Sequence, residues 1–264
     1  MIDSADNLSH FLDQFVQLPS PKILVHGGGK LATRLCSQLG IETKMIDGRR
    51  ITDQATLDVV TMVYAGLVNK QIVAALQARG CMAIGLSGAD ANLLPARRRP
   101  AEPIDYGFVG DVEQPKANVG FLRSLLEQGI TPVVCPLTHD QHGTMLNTNA
   151  DSVACAVAVA AAQIGATELT FCFEQPGVLR DVDDPSSLIT HIDASCYQSL
   201  LAEHVISKGM LPKLNACFQA IESGVGAVRI KHADNLLNEI GTTISGPAIV
   251  KVPPLTPPKR RGIN

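Results

Sequence analysis

The sequence predicts an α/β fold, a mostly parallel sheet flanked by helices, and three observations predict it. Short β-rich runs alternate with longer helical patterns along the chain. Hydrophobic residues make up 45% of the chain but aromatics only 4%, with no Trp, so the core is built from Ala, Val, Leu and Ile, the palette of strands buried on both faces. At 264 residues, one large domain or two lobes can bury a sizeable core.

Taken in order, residues 7–15 carry a helix pattern. Lys22-Ile23-Leu24-Val25-His26 reads as a strand broken by Gly27-Gly28-Gly29, with a helix over 30–39 behind it. Residues 56–79 place apolar side chains at helical spacing, with Asp58 and Lys70 left to face water, which predicts one long amphipathic helix. A strand follows over 81–86, and 106–112 reads as part of a hairpin. Residues 119–127 are helical and 131–137 extended. The almost wholly apolar 150–162 is a helix to be buried on most sides. Then come a strand over 168–173, helices over 194–203 and 212–223, and a last clear strand over 225–230. From Ser245 the pattern collapses, and five prolines deny helix or ladder its donors, so 247–264 is expected to be a disordered Pro-rich tail.

The formal charge of -3 gives no field for nucleic acid or an anionic membrane, so any anionic ligand is handled locally. No apolar run reaches the roughly 18 residues of a spanning helix, and the acidic start Met1-Ile2-Asp3-Ser4-Ala5-Asp6 is unlike a signal peptide. A cytoplasmic location is expected. The 7 cysteines include no C-x-x-C pair, which points to small core side chains rather than disulfides or a zinc cage. His139 and His142 are close but lack a third ligand.

Four motifs carry chemistry. Val25-His26-Gly27-Gly28-Gly29-Lys30, between a strand and a helix, lets backbone amides approach an anion at a helix N-terminus. It matches neither G-x-G-x-x-G nor the P-loop pattern, and a tight turn alone would account for it equally. Asp47-Gly48-Arg49-Arg50-Ile51-Thr52-Asp53 sets two guanidinium groups before a capped helix, where an Arg can fork onto a carboxylate; a charged turn is the plainer account. Asn147-Thr148-Asn149-Ala150-Asp151 puts amides and a carboxylate at the mouth of a buried helix, groups that need partners once desolvated. Lys208-Gly209-Met210-Leu211-Pro212-Lys213 delivers Lys213 near another helix start, as charge neutralisation in phosphoryl transfer requires, although a lone Lys there is usually a surface residue.

In this order, and with Val68-Asn69-Lys70 and Leu86-Ser87-Gly88-Ala89-Asp90 between them, the motifs resemble the amino acid kinase family, most closely its acetylglutamate kinase branch. The resemblance spans roughly residues 7–244. It implies the family's three-layer sandwich with a mostly parallel central sheet, an acylglutamate-binding lobe over 1–163 and a nucleotide-binding lobe over 164–246. It implies ATP-dependent phosphorylation of the γ-carboxylate of N-acetyl-L-glutamate or a related N-acyl-glutamate in arginine biosynthesis, with Mg²⁺ on the nucleotide and a homodimer as the working form. Carried over residue by residue, Gly28, Gly29, Arg50, Asn147 and Asn149 hold the acylglutamate. Lys213 sits on the moving phosphoryl and Asp151 organises the catalytic lysines, of which the family's second belongs to its first strand. Glu174, Gly177, Val178, Leu179, Ser207 and Gly209 form the nucleotide site, with Glu174 where the family more usually has Asp.

The family opens with a strand ending in Lys followed by Gly-Gly, and the sequence before residue 7 has no counterpart. That strand is central to the sheet, so without it two strand edges are expected to stand unpaired, and the chain resembles one started too late. Lys22 and Lys30 are the nearest cations. A non-catalytic binding protein and a kinase for another carboxylate are the alternatives.

Overall fold

A computed structural model describes residues 4–46, 48–112, 116–203, 205 and 210–246. The expected tail over 247–264 lies outside the described residues, as do Asp47, Ser207, Lys208 and Gly209.

The first helix, α1 (Ala5–Phe15), is capped by the Ser4 hydroxyl and buries Phe11, Leu12 and Phe15. Strand β1 (Leu24–Val25) is shorter than the sequence suggests, because Gly27 and its neighbours turn the chain into α2 (Gly29–Gln38). The short pair β2 (Met45–Ile46) and β3 (Arg49–Arg50) is antiparallel. Asp53 then caps α3 (Gln54–Thr61), accepting from the Thr56 amide at 2.8 Å.

The long helix is continuous over Gln54–Gln77, 24 residues, but not uniform. Its middle, Met62–Val68, is wound as a π-helix before α4 (Asn69–Gln77) resumes. By length and composition this helix is long and apolar enough to cross a membrane, contrary to the expectation from the sequence, because its few polar residues, Asp58, Asn69 and Lys70 among them, break the apolar run without making the helix polar. Here its apolar face closes a core: Val59, Val60, Val63, Val68, Ile72 and Leu76 are all buried in one cluster with α1.

Strands β4 (Ala83–Leu86) and β7 (Thr131–Val134) pair in parallel, and β7 also pairs with β1, giving the order β1-β7-β4. Between them lie β5 (Ala96–Arg98), β6 (Val109–Val112) and α5 (Val119–Glu127). The expected hairpin exists in part, since β5 and β6 are antiparallel, but β6 runs parallel to β9 on its other edge. Beyond β7 the strand expected to continue to residue 137 breaks, and β8 (Leu137–His139) and β9 (Met145–Thr148) form a separate sheet of order β5-β6-β9-β8.

Helix α6 (Ala150–Ala162) has the boundaries its composition predicts and buries every residue from Val153 to Ala161. It packs against α5 on one side and α8 on the other. The chain continues with β10 (Glu168–Phe173), β11 (His191–Ile192), α7 (Ala194–Ala202), α8 (Leu211–Glu222), β12 (Ala227–His232) and β13 (Thr242–Ile244), whose strands form a further sheet. Its strand order is β10-β12-β13-β11, so β12 is not the last strand as the sequence suggests. Strand β13 runs antiparallel to β12.

Candidate active site

The glycine turn between β1 and α2 lies between two cavities. The smaller, about 180 Å³, is lined by Gly28, Gly29, Arg50, Tyr64, Asn147 and Asn149, which brings the five acylglutamate residues expected from sequence to one place. Gly28 has φ +152, and a Cβ there would meet Tyr64 Cδ1 at 2.9 Å, so a side chain at this position is both strained and obstructed.

Arg50 is buried, and its Nη2 donates to the Gly29 carbonyl at 3.1 Å and the Thr33 hydroxyl at 2.8 Å. Its Nη1 is buried with no hydrogen-bond partner. A guanidinium held from one side with a desolvated N–H on the other is prepared for a carboxylate oxygen. Asn147 is buried as well, and its Nδ2 donates to the Thr52 hydroxyl at 3.0 Å, which ties β9 to the turn that carries Arg50. Asn149 caps α6, its side-chain oxygen accepting from the Ser152 amide at 3.1 Å.

Behind the turn is a network that the sequence did not reveal. His26 Nδ1 lies 2.7 Å from the Gly27 carbonyl and Nε2 lies 3.1 Å from Asn69 Nδ2. Nδ1–H therefore donates and Nε2 accepts from the amide, the neutral tautomer. Burial lowers the His26 pKa to about 4, against a smaller opposing effect of the Gly27 hydrogen bond. Asn69 Nδ2 also donates to the Val133 carbonyl at 2.9 Å, and Lys70 Nζ donates to Asn69 Oδ1 at 3.2 Å. A Cβ on Gly85 would sit 1.8 Å from Asn69 Oδ1, so the bare backbone of β4 makes room for that amide. The signal in the sequence was Val68-Asn69-Lys70; its role needed the packing of α4 on β4 to become visible.

On the other side of the turn, Asp151 in the first turn of α6 meets Lys213 in the first turn of α8, Nζ to Oδ2 at 3.4 Å. The Lys213 ammonium also lies over the Phe173 ring, 3.4 Å from its centroid. Ala150 lines both cavities and Asp151 the larger, so this pair sits beside the acylglutamate pocket rather than inside it. An ammonium held by one carboxylate and a ring face can neutralise charge that develops on a transferring group.

The remaining nucleotide residues are dispersed. Glu174 is exposed and pairs with Lys30 at 3.6 Å. Gly177 packs so that a Cβ would meet the Thr242 hydroxyl at 2.6 Å. Val178 is buried, and its amide donates to the Thr242 hydroxyl at 2.8 Å, while Leu179 bridges to Leu188. None of these three lines either cavity. Lys22 is turned away, its ammonium donating to the Val16 and Leu18 carbonyls at 2.7 Å each.

The profile of the amino acid kinase family matches residues 1–232. The chain belongs to the amino acid kinase family. Among curated relatives, acetylglutamate kinase of Cytophaga hutchinsonii is 54% identical over 241 residues, 91% of this chain and 90% of that protein. Acetylglutamate kinase of Methanopyrus kandleri is 39% identical over 248 residues, covering 92% and 96%. Among solved structures, smu.665 of Streptococcus mutans superposes with a TM-score of 0.72 at 31% identity, covering 92% of each chain. N-acetylglutamate synthase of Neisseria gonorrhoeae, solved with coenzyme A and N-acetyl-glutamate, gives 0.75 at 25% identity over 92% of this chain and 56% of that one. The identity to these curated relatives over nine-tenths of both chains makes this chain a kinase, and the family implies ATP as its phosphoryl donor.

Proposed function

We propose that the protein is an acetylglutamate kinase, transferring the γ-phosphoryl of ATP to the γ-carboxylate of N-acetyl-L-glutamate in arginine biosynthesis. The observation that carries this is the unpartnered, buried Nη1 of Arg50 in a pocket floored by the glycine amides. That atom suits the α-carboxylate of the substrate. The γ-carboxylate, ionised at neutral pH, needs no general base. One of its oxygens forms the new bond to phosphorus while the bond to the β,γ-bridging oxygen breaks, and ADP leaves. Lys213, steered by Asp151, neutralises the transferring group, which makes both catalytic residues.

Gly28, Gly29, Asn147 and Asn149 complete the acylglutamate site in this reading. Glu174, Gly177, Val178 and Leu179, with Ser207 and Gly209, shape the nucleotide side, Val178 through the loop it anchors rather than by direct contact. Mg²⁺ travels on the nucleotide phosphates, which suits a cation that keeps its waters and takes few protein ligands; among the described residues no group of three or more His, Cys, Asp or Glu side chains competes for it. Seven free thiols suit a reducing cytoplasm. Ile84 on edge strand β4, Met82 just before it, and Met62 and Leu67 on the long helix are exposed, which supports a homodimer formed on that side.

A coupled ADP-release assay with glutamate, aspartate, N-acetylglutamate and N-succinylglutamate tests the reading. Turnover only with an N-acyl-glutamate is expected, and the acyl group is decided by the ratio of the two kcat/KM values. Turnover with free aspartate or glutamate instead would overturn it. A second reading rests on the open cleft beside Asp151: stabilisation by N-acetylglutamate and ATP without any ADP release would make this chain a binding protein.

A further inference from the structure

Tyr64 is buried in the wall of the acylglutamate pocket, and no role described so far uses it. It is carried by the π-helical stretch Met62–Val68, a form that is rare and gathers at functional sites. A turn that closes over five residues lets Val63 and Val68 both be buried while Tyr64 stays on the side of the glycine turn. A Cβ on Gly28 would meet Tyr64 Cδ1 at 2.9 Å, Tyr64 Cε1 at 3.1 Å and Val68 Cγ2 at 3.6 Å, so the two side chains stand together under the bare backbone that opens α2.

Packing accounts for the ring but not for the hydroxyl, since Phe would fill the same space. The hydroxyl lies 4.0 Å from where a Cβ of Gly29 would stand, and Gly29 is the residue whose carbonyl holds Arg50 Nη2. Burial raises the pKa of the phenol, and the neighbouring Arg50 guanidinium opposes this by less, so the hydroxyl keeps its hydrogen at neutral pH. A guanidinium has donors and no acceptor, so Arg50 can use only the lone pairs of the phenol oxygen. Among the described residues none accepts a hydrogen bond from the Tyr64 hydroxyl, and its hydrogen is left for an acceptor in the cavity.

A carboxylate brings two oxygens into this pocket. If Arg50 Nη1 takes one, the other is desolvated and needs a donor of its own. We propose that Tyr64 is a substrate-binding residue whose hydroxyl donates to the second oxygen of the α-carboxylate that Arg50 Nη1 holds by the first. This rests on the acylglutamate reading of the pocket. Tyr64 does not line the larger cavity where Asp151 stands, so it acts on the bound substrate and not on the moving phosphoryl. Its contribution is uniform binding, felt equally before and during transfer.

Tyr64→Phe removes the hydroxyl and keeps the ring. Isothermal titration of the full chain and of this variant is made with N-acetylglutamate, with ATP, and with N-acetyl-4-aminobutanoate, which retains the acylamide and the γ-carboxylate but has no α-carboxylate. The variant should bind N-acetylglutamate at least about tenfold more weakly, the loss of one hydrogen bond to a charged group, with its affinities for ATP and for the analogue and its Tm nearly unchanged. In the ADP-release assay KM for N-acetylglutamate should rise by the same factor with kcat constant. Unchanged affinity for N-acetylglutamate would overturn the proposal. An equal loss for the analogue would place the contact elsewhere on the substrate, and a fall in Tm or in ATP affinity, or a variant that does not fold, would give the hydroxyl a structural role; each of these overturns it as well. A wild-type chain that binds no N-acyl-glutamate would instead remove the acylglutamate reading, and this assignment with it.

Discussion

The Nη2 of Arg50 donates to the Thr33 hydroxyl at 2.8 Å, so a helix residue that carries no charge sets the angle of the guanidinium. The Gly29 carbonyl takes a second bond from the same nitrogen, and Nη1 is left buried and free for substrate. Arg50→Lys keeps the charge but loses the fork. The KM for N-acetylglutamate is expected to rise on the order of 10²-fold, the loss of one hydrogen bond to a charged group, while the KM for ATP changes little. Thr33→Val should produce a smaller shift of the same kind, about tenfold. Steady-state kinetics with each substrate varied in turn checks both, and a change confined to ATP would contradict the assignment of the pocket.

Lys213 and Asp151 are separated by 3.4 Å at the starts of two helices. Lys213→Met should lower kcat by about 10²- to 10³-fold with the KM for N-acetylglutamate nearly constant, because the ammonium acts on charge that exists only in the transition state. Asp151→Asn should lower kcat less steeply, as the lysine remains but is no longer steered. If ligand-induced thermal shifts are retained in both variants while turnover is lost, folding and binding are separated from chemistry.

His26 gives the protein an acid limit. Its folded pKa, about 4, lies below the ordinary value of 6.5, so the unfolded chain binds the proton more readily. The stability contributed is fully present above pH 6.5 and is lost as pH falls from there through 4. Over that window the loss approaches about 3 kcal/mol. Thermal denaturation between pH 7.5 and 4 should show it, and His26→Gln should have a flatter dependence in the same window. An unchanged slope would remove His26 as the source.

Gly85 makes room for Asn69. Because a Cβ would lie 1.8 Å from Asn69 Oδ1, Gly85→Ala must displace the amide from His26 and the Val133 carbonyl. A cost of about 2 to 4 kcal/mol is expected from overpacking and the broken buried hydrogen bonds. Chemical denaturation measures it, and a loss below about 0.5 kcal/mol, the range of a neutral surface change, would show that the network is slack.

The exposed Ile84 on edge strand β4 tests the dimer. Ile84→Lys should shift the sedimentation coefficient from dimer to monomer without lowering Tm by more than a few degrees, since the side chain is not part of the core. A wild-type protein that sediments as a monomer would dispose of the homodimer.

What the sequence by itself determined is what neighbouring residues decide among themselves. Helices Val119–Glu127 and Ala150–Ala162 and strand Glu168–Phe173 have the boundaries read from composition and spacing, and Asp53 caps the helix it precedes. The glycine turn, Arg50, Asn147, Asp151 and Lys213 could be singled out because their motifs recur together in the order of the family they resemble; taken alone, only the amides before the apolar helix are poorly explained by packing. Tertiary structure decided the rest. The two- and three-residue strands β8, β11 and β13 have no periodicity to read and exist only because a partner strand satisfies their backbone groups. Tyr64 against Gly28, His26 against Asn69, and the larger cavity between the edge strands β1 and β10 join residues tens to more than a hundred positions apart, and no local rule of the chain fixes which distant group will meet which.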